Sequence, residues 1–126
     1  MKDFYYFSRG HDILNNDKID LHIHTSASDG TWTAEEAVSE IIKNNISMFA
    51  ITDHNSVENV ETAAELAVKA GLAFIPGVEI DTSFNGANLH ILGYGIDIRN
   101  DGLLKLISGN RDFMEQKDEE SIKFLC

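Results

Sequence analysis

Cysteine, basic side chains and long apolar segments are scarce in this chain of 126 residues, and each scarcity excludes a class of protein. The single cysteine, Cys126, is the last residue, so these residues hold no internal disulfide and no Cys-x-x-Cys zinc or redox site. No apolar stretch approaches the roughly 20 residues of a transmembrane helix, and no basic-then-apolar leader opens the sequence. We therefore expect a cytoplasmic protein that does not contact a membrane.

Positive charge is also in short supply. Lys and Arg number 10 against 21 Asp and Glu, which gives a formal net charge of −11. A nucleic-acid polymer is bound through a basic surface that displaces its counterions, so we expect the main partner not to be a nucleic-acid polymer. The hydrophobic content of 43% and charged content of 25% are close to those of soluble globular domains, which predicts one folded core.

Two histidines stand in an alternating segment from Lys18 to Thr25 that predicts a β-strand. Successive side chains of a strand point to opposite faces, so His22 and His24 share one face with Asp20, and the apolar residues between them occupy the other. A lone His-x-His pair is more often a surface or core feature than a metal site. Further ligands must therefore come from other segments.

Two amphipathic helices are predicted after this strand. Thr33 and Glu36 are spaced as a capping box, and the apolar stripe that follows them ends before Asn44. Apolar residues at helical spacing from Val60 predict a second helix, and Gly71 is a favourable residue to close it. Predicted strands over residues 48–54 and 72–80 alternate with these helices, a pattern typical of a parallel sheet covered by helices.

The alternation of strand and helix ends at a predicted hairpin. The Asn85-Gly86 dipeptide favours a two-residue turn, so residues 89–96 are expected to return as a strand beside the previous one. The remaining residues have the apolar spacing of a helix, with an expected interruption near Gly109-Asn110. We accordingly predict an N-terminal extension over residues 1–17, an α/β domain over 18–100 and a C-terminal helical segment over 101–126.

Metal-compatible side chains follow the ends of the predicted strands. The carboxyl ends of parallel strands meet at one edge, so these side chains are expected to converge. The candidate ligands are His22, His24, Asp29, His54, Glu79 and His90. Mixed imidazole and carboxylate donors favour manganese, zinc or iron over calcium or magnesium. The alternative is a set of hydrogen-bonded polar residues inside an α/β core.

Two further carboxylates adjoin the candidate histidines. Asp20 and Asp53 could each orient an imidazole ring from behind, as carboxylates often do at metal sites. The alternative for both is a cap or turn carboxylate without metal influence.

The ordered motifs resemble those of the polymerase and histidinol phosphatase (PHP) family. The resemblance covers about residues 18–97, and its motifs are Asp20-Leu-His-Ile-His-Thr25, Ser28-Asp-Gly30, Thr52-Asp-His54, Gly77-Val-Glu79 and His90. Members of that family are distorted seven-stranded barrels that bind up to three ions and hydrolyse phosphoesters. The resemblance implies that His22, His24 and Glu79 hold one ion and Asp29 and His54 a second, with Glu79 and His90 at a third. A complete site would thus hold two or three divalent ions, manganese, zinc or iron.

The resemblance stops before the family's later ligands. A further histidine and a carboxy-terminal Asp-x-His pair complete the ion shells in the family, and neither has a counterpart here. The expected fold is therefore the first half of a distorted (β/α)7 TIM-like barrel, with parallel strands, outer helices, a β-hairpin and a C-terminal helix. Half a barrel exposes sheet edges, which predicts a homo-oligomer.

Three functions are consistent with these residues. The first is a metal-dependent phosphoesterase that hydrolyses a small phosphorylated metabolite or nucleotide by attack of a metal-activated hydroxide. The second is a truncated, catalytically weak PHP segment that serves as a metal-binding structural or interaction module. The third is a metal-dependent amide or ring hydrolase, which shares the opening His-x-His but usually needs later barrel ligands.

Overall fold

The computed structural model describes residues 18–125, and the predicted extension over residues 1–17 lies outside that range, as does Cys126. Within it, five strands and three helices follow one another along the chain. They are β1 (Lys18–Ile23), α1 (Ala34–Lys43), β2 (Ile46–Ile51), α2 (Val60–Ala70), β3 (Ala73–Phe74), β4 (Gly77–Phe84), β5 (Ala87–Tyr94) and α3 (Asp101–Leu125).

The first three strands form the parallel sheet that the sequence predicts. β1 pairs with β2, and β2 pairs with β3, in the order β1-β2-β3. Phe49 and Ile51 of β2 are fully buried and pack with the apolar stripes of α1 and α2. The Phe49 and Phe74 rings meet edge to face with centroids 5.0 Å apart. The α/β architecture expected from the sequence is confirmed.

Local sequence signals determine where α1 begins and where α2 ends. The Thr33 hydroxyl accepts from the Glu36 N–H, and the Glu36 carboxylate accepts from the Thr33 N–H, so the predicted capping box is present. α2 ends at Gly71, whose φ of 69° lies in the left-handed region that glycine adopts without steric cost. Both helix ends are therefore encoded within a few residues of sequence.

The predicted single strand over residues 72–80 is wrong. It is two strands: β3 pairs in parallel with β2, whereas β4 pairs in antiparallel fashion with β5 in a separate two-stranded sheet. Pro76 lies between them and has no N–H to continue the ladder. The break between β3 and β4 could not be predicted from the apolar pattern, because the residues on either side of Pro76 are similarly hydrophobic.

The hairpin itself is confirmed. Asn85 and Gly86 have φ angles of 51° and 80°, as a two-residue hairpin turn of type I′ requires. Such a turn pairs residues equidistant from it, and Asp81 accordingly lies opposite His90. The hairpin therefore presents Glu79, Asp81 and His90 on one face.

The expected interruption of the last helix near Gly109-Asn110 is also wrong, because α3 runs without a break from Asp101 to Leu125. A glycine inside a helix costs only about 1 kcal/mol relative to alanine, which lowers stability without ending the helix. Asn110 is held in place by side-chain hydrogen bonds to the Asp81 carbonyl and the Asn55 side chain.

In the part of the chain that the structure describes, no helix combines the length and apolar character that a membrane span requires.

Candidate metal centre

The candidate ligands come from both sheets and from the loops after β1 and β2. His22 lies on β1, and His24 follows its last residue. His54 lies three residues beyond β2 and forms an isolated parallel bridge with Glu79 of β4. This bridge joins the parallel sheet to the hairpin. As a result, Glu79 and His90 of the hairpin lie close to the end of β1.

Glu79 is the centre of the cluster. Its Oε2 lies 3.0 Å from His22 Nε2 and 3.1 Å from His24 Nε2, and its Oε1 lies 2.8 Å from His90 Nδ1. His54 Nε2 lies 3.7 Å from the same Oε2. One buried carboxylate therefore faces four imidazoles.

The surroundings of Glu79 favour its ionised form. Burial by itself would raise the pKa of this carboxyl group, but the hydrogen bond with His22 and the charges of His54, His22 and His24 lower it. The net result is a pKa below the ordinary value. Glu79 is therefore a carboxylate at neutral pH, which is the form that binds a cation.

A second group of donors adjoins the first. Asp29, in the exposed loop after β1, has one oxygen 3.0 Å from His24 Nδ1 and the other 3.7 Å from His54 Nε2. His24 and His54 therefore each belong to two groups of potential donors. In the described residues, three such groups have their donor atoms within 4.8 Å of one another: His22, His24 and Glu79; His24, Asp29 and His54; and His54, Asp81 and His90.

These residues fit divalent cations. Adjacent imidazole rings have centroids only 5.0, 4.7 and 4.9 Å apart, from His22 through His24 and His54 to His90. Four protonated rings this close would repel one another, whereas neutral imidazoles beside ionised carboxylates are good ligands for zinc, manganese or iron. All six candidate ligands predicted from the sequence lie in this one region.

Asp53 and Asp20 contact other groups than the imidazoles they were expected to orient. The fully buried Asp53 accepts hydrogen bonds of 2.6 Å from the Thr25 N–H, the Thr25 hydroxyl and the Ser28 hydroxyl. The Ser28 hydroxyl is in turn 3.5 Å from His24 Nδ1. Asp20 accepts from the main-chain N–H of His22. Asp53 thus organises the loop after β1, and Asp20 stabilises the local backbone.

The same loop depends on a close main-chain approach at Gly30. A Cβ atom placed there would lie 2.4 Å from the His24 carbonyl oxygen, and the Gly30 N–H donates to the Thr25 carbonyl at 3.0 Å. Only glycine leaves room for this turn. The turn brings Asp29 back toward His24 and His54.

Sequence reasoning missed Asp81. This carboxylate lies 2.8 Å from His54 Nδ1 and 3.7 Å from His90 Nε2. Two signals could have found it: it stands two positions beyond Glu79 on the same strand face, and the Asn85-Gly86 turn places it opposite His90.

Comparison with known proteins gives one matching family, described as PHP domain, over residues 20–126. The 5'-3' exoribonuclease Rnm of Salmonella typhimurium is 39% identical over 102 residues, covering 79% of this chain and 32% of the relative. The 3',5'-nucleoside bisphosphate phosphatase of Chromobacterium violaceum is 37% identical over 79 residues, covering 63% and 28%.

A solved structure shows the same relationship. An amidohydrolase from Chromobacterium violaceum, with bound sulfate and no metal, superimposes with a TM-score of 0.78 and 30% identity, covering 82% of this chain and 36% of that one. The chain therefore spans about a third of the length of the relatives it matches.

Proposed function

The chain belongs to the PHP domain family, and from that premise we propose that it supplies the metal centre of a phosphoesterase acting on a small phosphorylated metabolite or nucleotide. The observation that carries the proposal is the cluster around Glu79, in which imidazoles and carboxylates from four segments form groups whose donor atoms lie within 4.8 Å of one another. Such a cluster is costly to assemble without cations to hold it.

The first two proposed ligand sets follow groups of donors in the structure, and the third follows the contact between Glu79 and His90. His22, His24 and Glu79 would hold one ion, and Asp29 and His54 a second that His24 also approaches. Glu79 and His90, whose Oε1 and Nδ1 atoms lie 2.8 Å apart, would hold a third. When bound, divalent ions supply Lewis acidity for the attack of water on phosphorus and offset the charge of phosphate oxygens.

A cavity beside this cluster is the proposed place for the organic part of the substrate. It has a volume of about 390 Å³ and lies between the hairpin and α3. His54, Asp81 and His90 form one wall, and Phe113 and Met114 of α3 form an apolar wall opposite. Lys117 also lines it, with its ammonium group 4.8 Å from the centre of the Phe113 ring.

The apolar side chains of Phe113 and Met114 suit a ring, and the ammonium group of Lys117 suits an anionic group other than the phosphate at the metal cluster. A nucleotide has both features, and one relative of the chain is a nucleoside bisphosphate phosphatase. The sulfate in the similar solved structure is a tetrahedral oxyanion like phosphate. Another relative is an exoribonuclease, so the end of an RNA chain is the competing substrate. The net charge of −11 favours a small substrate over an RNA chain.

A second candidate function is a metal-binding structural or interaction module. The observation that favours it is that the three groups of potential donors could hold ions for a purely structural purpose. The two functions differ in turnover and agree on metal binding.

Purification without chelator, followed by elemental analysis, tests the proposal first. We expect two or more manganese, zinc or iron ions per chain, and loss of metal in Glu79→Gln because the amide cannot replace the shared anionic ligand. Glu65→Gln, at an exposed position of α2, is the matched control. A wild-type chain that binds none of these metals would overturn both functions.

Phosphate release separates the functions. Adenosine monophosphate, a nucleoside 3',5'-bisphosphate, an aryl phosphate and a short 5'-phosphorylated RNA would each be incubated with the manganese-loaded chain. Release of inorganic phosphate from a nucleotide, abolished in Glu79→Gln, supports the phosphoesterase. Bound metal without turnover of any of the four substrates supports the module.

A further inference from the structure

We propose that Asp81 is a positioning residue for His54, an inference that rests on the proposed metal centre. Its carboxylate accepts a hydrogen bond from the N–H at Nδ1 of the imidazole. The lone pair of Nε2 is then on the side of Asp29 and Glu79. None of the family motifs in the sequence includes Asp81.

The two nitrogens of His54 face different partners. Nδ1 lies 2.8 Å from Asp81 Oδ1, a normal hydrogen-bond length, whereas Nε2 lies 3.7 Å from both Asp29 Oδ2 and Glu79 Oε2. An ionised carboxylate only accepts hydrogen bonds, so a neutral imidazole beside it carries its proton on Nδ1. Nε2 is then the ligand atom, in the arrangement common at metal sites where a carboxylate fixes the histidine tautomer.

Asp81 could alternatively be a ligand itself, because His54, Asp81 and His90 form one of the groups that could hold an ion. The contacts favour positioning. Asp81 is 3.7 Å from His90 Nε2, whereas the Nδ1 of the same ring is 2.8 Å from Glu79, so His90 is directed to Glu79 more closely. His54 Nδ1 could serve an ion with Asp81 only if the ring bound ions through both nitrogens.

Asp81 is itself held in place. The buried Asn55 donates from Nδ2 to Asp81 Oδ2 at 2.7 Å, and its Oδ1 accepts from the Asp81 N–H at 3.2 Å. Asn55 has a φ of 46°, a left-handed conformation that asparagine tolerates better than most residues. Each oxygen of the Asp81 carboxylate therefore has a different donor, and the group cannot rotate without losing both bonds.

The last helix completes this chain of contacts. Asn110 of α3 donates from Nδ2 to the Asp81 carbonyl at 2.8 Å and to Asn55 Oδ1 at 3.2 Å. Hydrogen bonds thus run from α3 through Asn55 and Asp81 to His54. This arrangement links the position of the helix that lines the substrate cavity to the orientation of a proposed metal ligand.

The substitution Asp81→Asn tests the role with little change in shape. An amide has one accepting oxygen for two donors, so either His54 Nδ1 or Asn55 Nδ2 would face an NH₂ group. In the first of these two orientations the Nδ1–H tautomer of His54 loses its partner. Asp112→Asn, at an exposed position of α3, is the matched control.

The decisive measurement is the tautomer of His54 in the metal-free chain, from ¹⁵N chemical shifts and long-range ¹H–¹⁵N correlations of the imidazole at a pH of about 8, above the ordinary histidine pKa. We expect the Nδ1–H form in the wild type and in Asp112→Asn, and the Nε2–H form or a mixture in Asp81→Asn. Nε2–H in the wild type would overturn the proposal. This measurement decides even if Asp81→Asn fails to fold.

Titration with Mn²⁺ and Zn²⁺ gives a second readout. We expect Asp81→Asn to bind the same number of ions about 10- to 100-fold more weakly, as is typical when the partner of a ligating histidine is removed. Loss of one whole ion with the others unchanged would make Asp81 a ligand, and unchanged affinity with an unchanged tautomer would also overturn the inference. A wild-type chain that binds no metal refutes the metal centre, while the tautomer still reports on Asp81.

Discussion

At the scale of single residues, the stability of the candidate site depends on a buried carboxylate outside the ligand cluster. Asp53 is fully buried, and its hydrogen bonds to Thr25 and Ser28 hold the loop that carries Asp29. Asn59 donates to the same Thr25 hydroxyl at 2.8 Å. Asp53 thus couples the end of β2 to the loop after β1.

We predict that Asp53→Asn lowers the free energy of unfolding by about 2–4 kcal/mol, because hydrogen bonds to a charged group are strong and an amide would oppose N–H to N–H. Urea denaturation of the metal-free protein measures the change. Asp112→Asn, on the exposed surface of α3, should change it by less than about 0.5 kcal/mol. Equal stability of Asp53→Asn and the wild type would show that the loop does not depend on this carboxylate.

At the scale of secondary-structure elements, α1 depends on its first turn. The capping box of Thr33 and Glu36 satisfies main-chain N–H groups that the helix itself leaves without partners. Four apolar residues of this helix are buried against the sheet and α2: Ala34, Ala37, Val38 and Ile41. Loss of the cap therefore weakens one wall of the core.

Thr33→Ala is predicted to destabilise the protein by about 1 kcal/mol, the usual cost of removing a helix N-cap side chain. Thermal or urea unfolding followed by circular dichroism measures it. The control is Thr31→Ala, because Thr31 is exposed and precedes the capping box. If both variants lost the same stability, the cap would have no special role.

Helix ends and tight turns can be predicted from sequence, because residues a few positions apart determine them. The capping box, the Gly71 helix end and the Asn85-Gly86 turn are local, and the structure confirms all three. The split between β3 and β4 was missed because hydrophobicity is similar on both sides of Pro76. The continuity of α3 was missed because Asn110 is held by contacts with residues far away in sequence.

At the scale of the whole molecule, the hairpin leaves an apolar surface exposed in the described residues. Phe84, Leu89 and Ile91 lie on the face opposite the metal cluster, and they are 67%, 45% and 55% exposed. β1 is an edge strand of the three-stranded sheet, and its Ile19 is also exposed. Such surfaces favour association with another chain.

We predict that the 126-residue chain forms a homo-oligomer whose mass by light scattering rises with concentration. Ile91→Lys should shift it toward the monomer, because a charge on this face opposes burial. Val68→Lys, at an exposed apolar position of α2, should leave the mass unchanged. A wild-type chain that is monomeric at all concentrations would contradict the prediction. The cytoplasmic location also stays a prediction.

The sequence by itself determined the local features of this protein: the alternation that puts His22 on the polar side of β1, the helix ends and the hairpin turn. These features depend on interactions between residues a few positions apart. Only the tertiary structure decided that Glu79 lies among four imidazoles, that Asp53 holds a loop and that Asp81 contacts His54. Those roles depend on distances between residues 11 to 57 positions apart, and a buried carboxylate binds whichever donors the fold brings to it.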